Sequence, residues 1–285
     1  MLPPPQPSPP RGRRWFRVAV WLAWAGAALA GYALYTGQLT LPPRYDAWYP
    51  WIALDPMAEP NPVTPYKLAR ARSDPARCQA ALALTSLQYD PVPDRQTGEG
   101  CGFDNAVRLR AAPVRFGPPL PLSCPMALSF AMWERHALQP AAEAHFGERV
   151  VALDSLGSYA CRNVNRGEGA ARGKAATFSG ARSRHATADA LDIAGFTLAG
   201  GRHITVLRQW KQPAAPRSKP PSAQPASSAA ASTPAAGPAL TADARWLQDA
   251  HDGACRYFEG VLGPDYNAVH RDHFHLETGG YGMCR

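Results

Sequence analysis

The chain has 285 residues, 46% of them hydrophobic and 9% aromatic, and a formal charge of +8. That length suits one domain of ordinary size with appendages. Four arginines in residues 1–17 and three basic residues in 211–240 hold most of the charge, leaving +1 for everything else. The folded part is nearly neutral, so the basic charge reflects tails and linker rather than a phosphate-binding face, and no nucleic-acid partner is expected.

From the N-terminus, "RGRRWFR" precedes "VAVWLAWAGAALAGYALY", residues 18–35, which carry no charge. At about 1.5 Å per residue this stretch spans roughly 27 Å, close to a bilayer core. The arginines hold the leader, residues 1–17, in the cytoplasm, and Trp15, Tyr32 and Tyr35 suit the two interfaces. Ala28-Leu29-Ala30 is an acceptable signal-peptide cleavage site. Apolar character runs on to Tyr35, which favours an uncleaved transmembrane anchor. The remainder is expected to be exported. Residues 36–76 are rich in proline and aromatics without a sustained period and read as a stalk.

The globular domain is expected over residues 77–285. "PARCQAALALTSL" (75–87) reads as a short amphipathic helix, and "AVRLRAAPVRF" (106–116) as an edge strand broken by Pro113. "CPMALSFAMWERHALQPAAEAHF" (124–146) is the longest helical pattern, with Met126, Phe130 and Trp133 on one face. "RVVALDSLGSYACR" (149–162) supplies a strand leading into a loop. Residues 190–210 form a hairpin turning at Ala199-Gly200-Gly201. Residues 212–240 are a Pro/Ala/Ser tract that cannot bury enough apolar area to offset its ordering entropy, so a disordered insert is expected. "ARWLQDAHDGACRYFEGVL" (244–262) reads as an amphipathic helix.

Six cysteines, none in a C-x-x-C pair, in an exported chain point to disulfides. Fifteen pairings are open. Cys255 with Cys284 is the first expectation, because it would staple the last helix to the C-terminus.

Asp192 sits between Leu191 and Ile193, a poor strand residue in a packed frame. In "HRDHFHLE" (270–277), His273 and His275 share one face of a strand while Phe274 and Leu276 turn to the core. Laid side by side, the two strands bring Asp192, His273 and His275 to one wet face, within reach of His185 on the entering loop. Two imidazoles and a carboxylate are a usual catalytic zinc set. Taken singly, each such residue is more often a hydrogen-bonded strand or surface residue. The combination at two sites raises the metal reading. His136, His145, His203 and His251 lack partners at ligand spacing and are expected to be structural or surface residues.

Ser183-x-His185 followed by Ala190-x-Asp192 resembles the Ser-x-His-x-x-Gly-x-Ala-x-Asp signature of zinc D-Ala-D-Ala peptidases. Asp272-x-Phe274-His275 resembles their closing element, and His273-x-His275 is similar to the His-x-His of lysostaphin-type endopeptidases. With "GSYACR" and "GACRYFEGVLGP", residues 77–285 most resemble the bacterial extensin-like C-terminal domain family. The resemblance implies an α+β fold, a small antiparallel sheet with flanking helices like that of the zinc D-Ala-D-Ala peptidases. It implies zinc held by His185, Asp192 and His275. Asp272 would stand in the general-base position, His273 would bond the attacking water or the oxyanion, Arg162 would polarise the scissile carbonyl, and Ser183 would contact substrate. Ala188 replaces the signature glycine, and Asp272 is a methylene shorter than the glutamate of many relatives, which leaves His273 as the alternative base. The function so implied is that of a peptidase or amidase acting on peptidoglycan peptides, tethered to the bacterial inner membrane by one span with its domain in the periplasm. A wall-binding or structural domain, in which the metal only braces two strands, is the alternative.

Overall fold

The computed structural model describes residues 11–39, 42–164, 181–214, 239–280 and 282–285. The chain divides into two compact units, Met1–Ile52 and Ala53–Arg285. In the first, helix α1 (Arg11–Tyr35) contains the segment Trp15–Tyr35, of mean hydropathy 1.5, long and apolar enough to cross a membrane or to act as a signal sequence. A 3-10 turn, Pro43–Trp48, follows, and Trp51 packs edge-on against Tyr35 at 6.0 Å.

The second unit begins earlier than residue 77. Helices α2 (Thr64–Arg72) and α3 (Pro75–Leu82) belong to it, and Leu54, Leu68 and Ala71 are buried in its main core. The proline content that suggested a stalk has a local cause. Both helices carry proline in the first turn, where its missing N–H has no intrahelical partner to lose.

A three-stranded antiparallel sheet follows, in the order β1 (Gln88–Val92), β4 (Ala106–Ala111), β5 (Leu120–Ser123). The predicted edge strand is thus the central one. It ends at Ala111, so Pro113 interrupts no ladder bond. A small hairpin, β2 (Arg95–Gly98) and β3 (Cys101–Phe103), lies between β1 and β4 in sequence.

Helix α4 (Cys124–Trp133) starts at Ser123, whose Oγ accepts from Met126 N, and is buried on nearly every side. A helix apolar all round belongs to a core interior. The run 124–146 is helical throughout, but a π-turn at Glu134–Leu138 separates α4 from α5 (Gln139–Phe146). The turn is held by Gln139, which donates to the buried Glu134 carboxylate and to Val150 O.

The main sheet runs β11 (Met283–Cys284), β9 (Gly260–Leu262), β10 (Phe274–Glu277), β7 (Ala190–Leu198), β6 (Val150–Gly157). It is antiparallel except where β11 joins β9. A short strand β8 (His203–Thr205) pairs with the far end of β7. The expected hairpin therefore has a second arm of only three residues, because the chain turns into helix α6 (Val206–Gln209), whose Gln209 side chain caps Thr205 N.

Helix α7 (Ala242–Ala254) stops eight residues short of the predicted end. Cys255 turns to bond Cys284, Tyr257 and Phe258 drop into the core, and Gly260–Leu262 becomes β9. Helical spacing of the aromatics concealed that change of element. Leu191, Ile193, Phe274 and Leu276 are fully buried, and Phe196 packs against both Trp246 (5.0 Å) and Phe274 (6.1 Å). Each such side chain contributes about 1.5–3 kcal/mol through burial.

All six cysteines pair. Cys255–Cys284 is joined by Cys78–Cys124, between α3 and α4, and by Cys101–Cys161, which ties the β2–β3 hairpin to the loop after β6. The predicted insert, residues 212–240, lies outside the described residues except at its ends, where Pro213 bridges Leu240 and Ala214 N donates to Ala239 O. The leader lies outside them up to residue 10.

Candidate metal centre

Strand alternation decides which side chains meet. In the β7–β10 ladder His275 stands directly opposite Asp192, Phe274 opposite Ile193, and Leu276 opposite Leu191. The apolar partners face the core, so Asp192 and His275 project together from the other side. His275 Nδ1 lies 2.8 Å from Asp192 Oδ1, and His185 Nε2 lies 3.1 Å from Asp192 Oδ2 and 3.3 Å from His275 Nδ1. His185 comes from a 3-10 turn, Arg184–Thr187, capped by Ser183 Oγ, which accepts from His185 N at 3.3 Å.

Two further contacts set the proton positions. His185 Nδ1 faces the carbonyl of Ser158 at 3.2 Å, and His275 Nε2 faces Glu277 Oε2 at 3.0 Å. Both oxygens only accept, as does the Asp192 carboxylate, so the outer ring nitrogens carry the hydrogen whenever the inner ones are to act as ligands. The inner nitrogens of the neutral rings then present lone pairs toward each other and toward the Asp192 carboxylate. Such a set is satisfied by a cation or by protons. A tetrahedral ion with bonds of about 2.0–2.1 Å has ligand–ligand edges of about 3.3–3.4 Å, which the 3.3 and 3.1 Å separations approach. These three residues form a group able to hold a metal ion. Outer partners of this kind fix ring orientation at metal sites.

The electrostatics agree with a pocket built for positive charge. Burial opposes ionisation of Asp192, but hydrogen bonds from His185 and His275 outweigh it and hold the carboxyl well below its ordinary range. Burial likewise disfavours charge on His275, yet its bonds to Asp192 and Glu277 raise it to about 9. In the metal-free chain His275 is then the cation. A raised histidine contributes stability that is complete below its unfolded value of 6.5 and is lost as pH rises through about 9. A depressed aspartate contributes stability present above 3.8 and lost as pH falls further. Thermal melts of the chelated chain are therefore expected to peak between these limits and to decline toward pH 9, and a flat profile across 6.5–9 would contradict this pairing.

The other expected residues take varied places. His273, just before β10, sits with Nε2 3.7 Å from Asp192 Oδ1 and Nδ1 2.8 Å from Asp272 Oδ1. Asp272, whose side chain is 45% exposed, thus addresses His273 and not the three donors. Arg162 lines the same cleft, next to the disulfide-bonded Cys161, with its carbonyl accepting from Ser183 N. Ser183 also lines the cleft, but its hydroxyl is occupied as the cap of the His185 turn. Ala188, in place of the signature glycine, adopts a left-handed φ of 57°. That conformation is strained for alanine. Its methyl group is fully buried, packed with Phe103 and Ala106. His136, His145, His203 and His251 bond Pro56 O, Asp249, Asp154, and Asp252 with Arg285 O, respectively, apart from the cleft.

Sequence reasoning missed two contributors and gave no role to a third, His270, which it counted among the clustered histidines. Glu277 is two residues beyond His275 on the same strand face, so the period of two that linked His273 to His275 also pointed to it. Ser158 acts through a backbone carbonyl, which no side-chain pattern reveals. His270 is buried between Tyr266, His273 and His275, with Nδ1 held by Asn267, and burial together with the neighbouring His275 and His273 charges lowers it to about 4. Glu277→Ala frees the His275 ring and is expected to weaken metal affinity about 10–100-fold, measured by competition with a chromogenic chelator. An unchanged affinity would deny Glu277 that orienting role.

The cleft around these groups has a volume of about 810 Å³ and reaches from Arg162 and Arg182 to Tyr266 and Glu277. Comparison with known proteins gives one match. The family model described as Extensin-like protein C-terminus aligns with residues 76–230 and 234–285, whereas no curated protein and no solved structure matches. The chain belongs to the Extensin-like protein C-terminus family.

Proposed function

We propose that this chain is a membrane-anchored, zinc-dependent peptidase or amidase whose domain lies in the periplasm and acts on the peptides of peptidoglycan. The observation that carries this reading is the convergence of His185, Asp192 and His275, with both outer ring nitrogens already bonded, in a cleft that also holds the Nε2 edge of His273. An apolar α1 and three disulfides support anchoring and export.

His185, Asp192 and His275 would hold the zinc. When bound, zinc supplies a Lewis acid that makes a water nucleophilic near neutral pH. The residues do the rest. Asp272 accepts from His273 Nδ1–H, which leaves Nε2 as a base directed at the Asp192 side of the cleft. His273 takes the proton from the attacking water and returns it to the departing amine. Arg162 supplies positive charge to the oxyanion, a donor effect of a few kcal/mol at comparable sites. Asp272 is then a positioning residue and His273 the base, because the Asp272 carboxylate is spent on the imidazole.

The test is incubation of the full chain in detergent, with and without zinc, with purified muropeptides, followed by mass spectrometry. New amine termini that need zinc are expected. Their absence across several stem types, with zinc bound, would leave the braced, non-catalytic reading in its place.

A further inference from the structure

The metal donors occupy only part of the cleft. Arg162, Arg182 and Arg184 also line it, while the only carboxylates lining it among the described residues, Asp192 and Glu277, are bonded to His185 and His275. Two of the arginines are held by neutral acceptors. Arg182 Nη1 donates to Asn163 Oδ1 at 2.9 Å, and Arg184 Nη2 donates to the carbonyl of Gly279. Among the described residues none of the three arginines forms an ion pair with a carboxylate. Asp189 acts electrostatically on Arg184 without forming an ion pair with it.

Two of these side chains are also packed in place. Gly100 has a φ of +64°, and a Cβ there would lie 3.0 Å from Arg182 Cγ and 3.2 Å from its Nε. Gly279 has a φ of +69°, and its Cβ would lie 3.3 Å from Arg184 Nη1. Both positions combine a left-handed backbone with close approach of a guanidinium stem, which suits glycine alone. Among the described residues the Nε–H and Nη2 hydrogens of Arg182, which form one edge of its guanidinium, and the Nε–H and Nη1 hydrogens of Arg184 bond no partner. A guanidinium edge with two parallel N–H donors is matched by a planar carboxylate.

We propose that Arg182 and Arg184 form an anion subsite that takes a free carboxylate of the substrate peptide while the bond to be cut lies at the His185–Asp192–His275 donors. This rests on the peptidase reading and adds a selectivity to it: substrates with free carboxyl groups are preferred over the same peptides amidated. Hydrogen bonds to a charged group contribute about 1.5–3 kcal/mol each, so the preference is about 10–100-fold in affinity.

The experiment uses the full chain in detergent, metal-free so that nothing is cut, with a fluorescent stem pentapeptide as the free acid and as the fully amidated form. Anisotropy at low salt is expected to show the acid binding about 10–100-fold tighter. Arg182→Gln with Arg184→Gln brings the ratio near one while zinc stoichiometry, measured separately, is unchanged. Arg182→Lys with Arg184→Lys, which keeps charge and loses the fork, gives an intermediate ratio and serves where the glutamine pair does not fold. A wild-type ratio of one, with both peptides bound, overturns the subsite and leaves the peptidase reading standing. A full preference retained in both double variants also overturns it. If neither peptide binds the wild type, and neither is cut when zinc is restored, the peptidoglycan reading fails and takes the subsite with it.

Discussion

Replacing His275 by alanine is expected to remove bound metal and hydrolysis together. The ring supplies one of three inward donors, and the two that remain, His185 and Asp192, come from a turn and a strand with no fourth donor facing them in the group. Zinc sites with open positions need three protein ligands to retain the ion. The substitution has a second effect in the metal-free chain. His275 is the charged partner of both Asp192 and Glu277, whose side chains are only 14% and 21% exposed. Removing one member of a buried pair costs about 3–5 kcal/mol, because the carboxylates left behind are desolvated without compensation. Glu277→Gln made in the same background relieves part of that cost, so His275→Ala/Glu277→Gln is expected to melt higher than His275→Ala alone and still bind no zinc. Metal analysis and thermal melts read the two effects separately. Retention of one zinc per chain in His275→Ala would remove the proposed centre.

His273→Ala is expected to lower turnover about 10²–10⁴-fold, the usual contribution of a positioned base, with zinc content unchanged. The ring touches Asp192 only at 3.7 Å and adds no donor to the three-residue group. Asp272→Ala is expected to act less strongly. The carboxylate is half in solvent, and its loss leaves the imidazole in place with a less certain orientation and tautomer. The comparison of the two variants assigns the proton. An Asp272→Ala loss as large as that of His273→Ala, with an acidic limb in the pH–rate profile that disappears with Asp272, would make the aspartate the base. A loss confined to His273 makes the imidazole the base. Under the braced, non-catalytic alternative neither change alters any function.

The legible part of this site was the part written in strand periodicity. Leu191-Asp192-Ile193 and Phe274-His275-Leu276 each place one polar side chain between two apolar ones, and burial of the apolar pairs leaves the polar residues one possible side. The remaining geometry depended on features with no periodic trace. The Ser158 carbonyl is available because the loop after β6 passes the His185 turn, an arrangement pinned by Cys101–Cys161 and by Ala160 N donating to His185 O. Asp272 bonds its own neighbour, His273, which the order of residues alone does not predict. At the level of elements, composition misled twice. Prolines at helix starts gave α2 the look of a stalk, and Tyr257 and Phe258, at helical spacing beyond Ala254, extended α7 over what is a turn and a strand. In both cases tertiary burial, through Leu68 in one and Cys255–Cys284 in the other, overrode the local pattern.

The placing of the disulfides relative to residues 214–239 has a consequence for how the molecule would come apart. Cys78–Cys124 and Cys101–Cys161 lie wholly before that stretch and Cys255–Cys284 wholly after it. One peptide-bond scission there yields two fragments with no covalent tie, His185 and Asp192 on the larger and His275 on the smaller. The coordinated ion would then be a clasp between separate polypeptides. A version carrying a specific protease site at this point is expected to migrate as one species after cutting when zinc is present. The halves should part at a lower urea concentration once a chelator is added. Identical separation with and without chelator would mean that the ion holds nothing across the join.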